Sequence, residues 1–239
     1  MKVAFASGGD SISAALYATA ADGPRPGVII VHDVWGLHEP YHAIGNRLAD
    51  AGFVALALDL YARGEKPGSP ADMPGVMKFL HQLPDRRVLQ DIQAAIDFLS
   101  ARPEVAGRKL GLTGFCMGGK YAFLAACRCR GLSAVVPWYG MLHAAALDDA
   151  NPEHALDAID ALTCPLLALF GAEDALIPTS DVEALRARAQ VLGLPVETVL
   201  YTGAGHAFAN ESRPEAYRAE AATDGWRRTL AFFARELEK

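Results

Sequence analysis

Short, continuous apolar runs recur along the chain, separated by longer stretches in which apolar residues return every three or four positions. Residues 27–31 (GVIIV) and 53–58 (FVALAL) are apolar without a break. Strands buried on both faces of a sheet have this pattern, whereas half-exposed strands alternate. Residues 110–113, 132–137, 165–170 and 196–201 read as further strands. Between these runs, 85–101 places Val88, Ile92, Ala95, Ile96 and Leu99 on one helical stripe. Further helices are predicted at 41–51, stopped by Gly52, at 119–129, and at 182–191 with Ser180 or Asp181 as N-cap. A long closing helix is expected over 213–238, with a break near Gly225. Residues 3–6 and 14–18 read as two edge strands around a Gly-Gly-Asp turn. Residues 62–83, rich in Gly, Pro and charge, read as a long and only partly structured excursion. No repeat, low-complexity segment or linker interrupts the order, so one domain over 1–239 is expected.

Strands alternating with helices predict an α/β fold: a mostly parallel sheet with helices on both faces. Ligands bind such sheets beyond the carboxyl ends of the strands. The chemistry is therefore to be sought in the loops 31–40, 59–83, 114–118, 138–143, 171–178 and 202–213.

Composition narrows the classes. With 51% hydrophobic and 21% charged residues the chain can bury a large core. A net charge of −6 argues against a nucleic-acid partner. The apolar runs are far too short to span a membrane. The N-terminus lacks a continuous apolar segment of the secretory kind, so none is read there. Four cysteines, at 116, 127, 129 and 164, show neither a disulfide framework nor metal-ligand spacing. The expectation is a reduced, cytoplasmic protein without a metal.

Gly114-Phe115-Cys116-Met117-Gly118-Gly119 follows an apolar strand and opens a helix. This is the strand–turn–helix elbow of the α/β-hydrolases, G-x-S-x-G, with Cys in place of Ser. The turn is so tight that side chains must be kept out of it, which Gly114 and Gly118 do, while Gly119 eases packing of the helix. Cys116 would stand over the helix N-terminus, where the dipole favours a thiolate. The Met117 N–H would point at a developing oxyanion.

In this fold the acid and then the histidine follow the nucleophile along the chain. The run 165–170 ends in Gly171-Ala172-Glu173-Asp174, and Asp174 is preferred over Glu173 as the acid because Gly-x-x-Asp is the usual arrangement. His206, in Gly203-Ala204-Gly205-His206-Ala207-Phe208, comes straight after the run 196–201. The other later histidines, His143 and His154, lie in an irregular stretch. Cys116 is then nucleophile, His206 the base, and Asp174 the group that fixes the imidazole tautomer.

These residues resemble the dienelactone hydrolase family, the carboxymethylenebutenolidases. The similarity covers nearly the whole chain. It rests on His32-Asp33-Val34-Trp35-Gly36-Leu37, Ala57-Leu58-Asp59-Leu60-Tyr61-Ala62-Arg63, the elbow, Pro137-Trp138-Tyr139-Gly140, Gly171–Asp174 and Gly205-His206-Ala207-Phe208. A Cys in the elbow is this family's hallmark. The resemblance implies a single α/β-hydrolase domain without a large lid, no cofactor, and hydrolysis of the lactone ring of dienelactones in aromatic catabolism. It also implies that the Val34 N–H is the second oxyanion donor, and that Asp33, where well-known members carry Glu, contacts the resting thiol. The position four residues after the histidine, an Arg that holds substrate carboxylate in those members, is Asn210 here. Arg213 could replace it from one helical turn away, and Arg63 could also face the cleft. Trp35, Tyr61, Trp138, Tyr139 and Phe208 are candidates for lining the substrate site.

The expected reaction is attack of the Cys116 thiolate on an activated ester or lactone, through a thioester acyl-enzyme. The expected partner is a small ester or lactone, acted on by a monomer or weak dimer. A general carboxylesterase, a thiol redox protein and a non-catalytic binding module are the rival readings.

Overall fold

The computed structural model describes residues 1–20, 22–69 and 71–238. Eight strands form one sheet in the order β1-β2-β4-β3-β5-β6-β7-β8. They are β1 (Lys2–Ser7), β2 (Asp10–Tyr17), β3 (Gly27–Val31), β4 (Val54–Leu58), β5 (Leu110–Phe115), β6 (Leu132–Trp138), β7 (Leu166–Gly171) and β8 (Val196–Tyr201). From β4 to β8 all neighbours are parallel, and β2 joins β4 antiparallel. The continuous apolar runs are the central strands. Every residue of β3, β4, β5 and β7 is buried.

The helices are α1 (Glu39–Asp50), α2 (Met73–Gln82), α3 (Asp85–Ser100), α4 (Met117–Arg128), α5 (Ala155–Ala158), α6 (Thr179–Leu192) and α7 (Ala219–Leu237). Side chains of a strand alternate between faces. A Cβ on Gly111 would touch Phe233 of α7, whereas one on Gly114 would run into Gly118 of α4. Thus α7 and α4 cover opposite faces of β5. All residues of α4 from Met117 to Cys127 are buried, so this helix is core on every side.

Several elements differ from the sequence expectation, each for a local reason. The segment 62–83 contains α2, whose N-cap Asp72 accepts a hydrogen bond from Gly75 N–H at 3.0 Å. Neither Ser180 nor Asp181 caps α6, because the helix begins earlier, at Thr179 behind Pro178. The closing helix starts at Ala219 rather than 213, after a run of turns. It does not break at Gly225, where a Cβ would meet the Trp138 ring at 2.6 Å, so the glycine serves close packing.

Chain order places the site. From β3 the chain first moves to β4 on one side, then returns to β5 on the other. The loops after β3 and β5 therefore leave the sheet side by side, on either side of the point where the direction of winding reverses. A crevice opens at such a point.

Candidate active site

Between the last residue of β5 and the first of α4 stands one residue, Cys116. Its backbone has φ 55° and ψ −114°, a region that L-residues avoid at a cost of about 1–3 kcal/mol. The surroundings hold it there. The Cys116 N–H donates to Trp138 O and its carbonyl accepts from Lys120 N–H, both at 3.1 Å. The glycines are explained by contact. A Cβ on Gly114 would lie 2.0 Å from Gly118 O, and one on Gly118 would lie 2.3 Å from Val31 O. Cys116 is partly exposed, while Cys127, Cys129 and Cys164 are buried. Burial pushes the Cys127 and Cys129 thiols up to about 12 and Cys164 to about 11, so these three are packed and inert.

Asp174 and His206 meet beyond the carboxyl ends of β7 and β8. His206 Nδ1 lies 2.8 Å from Asp174 Oδ2, and the other carboxylate oxygen accepts from Leu176 N–H at 2.8 Å. The two loops can touch because a Cβ on Gly171 would sit 2.3 Å from Ala204 O. Glu173, the rival acid, contributes its N–H to Ala204 O at 2.9 Å and so ties these loops together by its backbone. Of the glycines before the histidine, Gly203 uses a positive φ of 74° and Gly205 does not.

The His206 ring has its Nε2 buried without a hydrogen-bond partner. Burial by itself would lower the imidazole pKa. The Asp174 hydrogen bond, followed by the influence of Cys116, outweighs burial and pushes it up to about 10. The Asp174 bond is the firmer cause, because no hydrogen bond closes between Nε2 and the thiol in this structure. The edge of Tyr139 completes the surroundings, its ring centroid 5.3 Å from that of His206.

The loop after β3 comes against the elbow from the other side, since the Val31 and His32 carbonyls lie where a Gly118 side chain would be. Tyr61 bridges the two. Its hydroxyl donates to Val34 O at 2.9 Å and lies 3.5 Å from Met117 Sδ. Met117 is the first residue of α4, so its N–H has no carbonyl within the helix to bond. Asp33 is buried, and its carboxylate accepts from Trp35 N–H at 2.9 Å and contacts His38 Nε2 at 3.3 Å. No hydrogen bond joins Asp33 to the Cys116 thiol among the described residues; its carboxylate shapes the loop instead.

The proposed lining residues divide. Arg63 does not face the cleft. Its guanidinium donates to both oxygens of buried Asp91, at 2.7 and 3.0 Å, and to Asp10 at 2.6 Å. Trp138 and Phe208 are fully buried and pack on each other, with Trp226 and Tyr201 as further neighbours, so they form the floor beneath the site. Arg213 stands on an exposed turn, paired with Glu215 at 2.9 Å. Trp35 is half-buried. Tyr139 and Asn210 line a cavity of about 330 Å³ between α1 and the histidine loop, together with Ile44, Phe115, Trp226 and Arg47. Arg47 and Trp226 had no signal in the sequence. They come from α1 and α7, and the guanidinium lies 4.8 Å above the indole ring. Among the described residues, no group of three or more His, Cys, Asp or Glu is placed to share a metal ion. No helix is long and apolar enough to cross a membrane.

Residues 12–237 match the model of the dienelactone hydrolase family. The chain belongs to this family. It is 38% identical over 219 residues to a protein of Salmonella typhimurium named "putative carboxymethylenebutenolidase", covering 90% of this chain and 79% of that protein. A Bradyrhizobium protein named "probable 2-oxo-3-(5-oxofuran-2-ylidene)propanoate lactonase" is 34% identical, with 94% of this chain and 89% of the relative covered. The crystal structure of a "putative dienelactone hydrolase" from Klebsiella pneumoniae superposes with a TM-score of 0.92 at 35% identity, over 98% of each chain. As a dienelactone hydrolase family member, the protein is a hydrolase of ester and lactone bonds with an α/β-hydrolase fold.

Proposed function

We propose that this hydrolase opens enol-lactones and activated esters with Cys116 as nucleophile, His206 as base and Asp174 as the group that orients His206. The carrying observation is the Asp174–His206 bridge at 2.8 Å, which leaves an unpartnered Nε2 beside a strained, partly exposed cysteine. His206 takes the thiol proton. The thiolate attacks the carbonyl carbon, a C–S bond forms, and the oxyanion lies between the Val34 and Met117 amides. As the C–O bond breaks, the leaving enolate takes the proton from His206. Water then gives a proton to His206 and attacks the thioester. The C–S bond breaks, releasing the acid and restoring the thiolate. A thiolate expels an enolate more readily than an alkoxide, because the tetrahedral intermediate otherwise collapses back to thiolate. Enol-lactones and aryl esters are therefore the favoured class, and alkyl esters and amides are poor. The whole chain, 1–239, acts as one domain, a monomer or weak dimer of the cytoplasm; its free thiols fit a reducing compartment.

One observation favours a wider ester range within this reaction. Arg63 is occupied by Asp91 and Asp10, Arg213 by Glu215, and the position after the histidine is Asn210, so no free bidentate cation faces the histidine loop from these positions. A charge-assisted clamp is worth about 1.5–3 kcal/mol, or roughly 10–150-fold. A kinetic comparison of dienelactone with a neutral enol ester tests both points. The reading predicts turnover of both, with the carboxylate-bearing substrate preferred by less than about tenfold, and loss of both activities in Cys116→Ala. Retained activity in that variant would contradict it.

A further inference from the structure

We infer that His32 is a positioning residue for the oxyanion hole: locked as the Nδ1–H tautomer, it turns the Asp33–Val34 peptide so that the Val34 N–H faces the reacting carbonyl. This rests on the reading of Val34 as an oxyanion donor. His32 is fully buried at the end of β3. Its Nε2 lies 3.1 Å from Leu60 N, and its Nδ1 lies 2.6 Å from Asp33 O. A backbone N–H can only donate and a carbonyl can only accept. Nε2 therefore carries the lone pair and Nδ1 carries the proton. An imidazolium would set an Nε2–H against the Leu60 N–H, so the site excludes the charged form by geometry. The groups around the ring are Asp33, Asp59, His38, Tyr41 and Tyr61, and burial outweighs the acidic ones to lower the pKa of His32.

The consequence falls on the next peptide. The Asp33 carbonyl and the Val34 N–H belong to one planar unit and point in opposite directions, because the peptide is trans. Holding the carbonyl toward His32 aims the amide the other way. Gly36 N–H also reaches this carbonyl, at 3.3 Å, but as part of the same loop it cannot fix the loop against the sheet. His32 can, because it follows directly on Val31, the last residue of β3, and the Leu60 N–H only steadies the ring as a second support. Three other groups of the loop are engaged elsewhere: Asp33 N–H with Tyr41 Oη at 2.8 Å, Trp35 N–H with Asp33, and Val34 O with Tyr61.

Two substitutions separate the bonds. In His32→Asn the amide nitrogen can stand where Nδ1 stands and donate to Asp33 O. In His32→Gln the amide oxygen can stand where Nε2 stands and accept from Leu60 N–H. The inference predicts that His32→Asn keeps kcat within about threefold, whereas His32→Gln lowers kcat by about 30–100-fold with KM within about twofold, a loss approaching that of an oxyanion donor. His32→Gln should also weaken, by a similar factor, a peptide-free aldehyde inhibitor that adds to Cys116 and places an oxyanion in the same hole. Independently of any variant's folding, long-range ¹⁵N–¹H spectra of the wild-type protein should show His32 as an Nδ1–H tautomer that stays neutral when pH is lowered to the ordinary imidazole value of about 6.5. An Nε2–H tautomer, or equal losses in kcat and KM for both variants, would overturn the inference. If Cys116→Ala stayed active, the reading beneath it would fall, and this inference with it. If Cys116→Ala is dead and the two His32 variants behave alike, only the role of His32 is refuted.

Discussion

Left to burial, His206 would give up its proton, yet Asp174 and Cys116 hold it well above the ordinary imidazole range, up to about 10. A histidine whose folded pKa is raised adds stability that is complete below its free value of about 6.5 and is lost as pH rises through the folded value. The melting temperature of the wild-type protein should therefore fall toward that of His206→Gln as pH is raised from about 6.5 to 10. A difference that stays constant across this range would contradict the bridge. The triad candidates were legible at this scale because each carries a local signature: glycines packed around a cysteine, an acid at the end of β7 and a histidine after β8. Arg63 was not legible, since its partners Asp91 and Asp10 are 28 and 53 residues away in sequence. The shaping of the β3 loop by Tyr41, Tyr61 and Asp33 was equally hidden, because it depends on hydroxyl and carboxylate directions that no spacing reveals.

Helix α4 begins directly after Cys116 and must lie almost against β3. The separation is set by Gly118, where a Cβ would find the Val31 carbonyl at 2.3 Å, a backbone atom that cannot step aside. Gly118→Ala should cost about 3 kcal/mol, at the upper end for overpacking, measured by denaturant unfolding. Gly205→Ala, whose Cβ would meet Glu173 O only at 3.5 Å, should stay within about 0.5 kcal/mol by the same measurement. A buried ion pair fixes α4 against α3. Lys120 Nζ lies 2.6 Å from Asp85 Oδ1 and 2.8 Å from Asn151 Oδ1. Lys120→Met should destabilise by about 3–5 kcal/mol by stranding Asp85, and adding Asp85→Leu should recover most of that loss. Additive losses would show that the pair is not coupled. Elements were legible in proportion to their burial. The bounds of β3 follow directly from its apolar run, every residue of which is buried. Helix α2 was masked because Pro74 and Gly75 sit in its first turn, where a helix tolerates them but a composition scan reads a loop. The turns that precede α7 obscured its start in the same way.

For the whole molecule, the winding order of the sheet does the assembling. It sets the loops after β3 and β5 side by side, and the Asp174–His206 bridge joins the loops after β7 and β8. The cavity of about 330 Å³ beside Tyr139 and Asn210 has an aromatic floor from Phe115, Tyr139 and Trp226. Its single cation, Arg47, is stacked on Trp226 and contacts Glu211 at 3.5 Å. The central claim is that hydrolysis runs through a thioester on Cys116. The most direct test is rapid acid quench during turnover of an aryl ester, followed by intact-mass and peptide mapping. The account predicts one acyl group on the peptide that contains Cys116, absent from Cys116→Ala and accumulating when His206 is replaced by Gln after slow acylation. Turnover without an adduct in either enzyme, or an acyl group on any other residue, would contradict it.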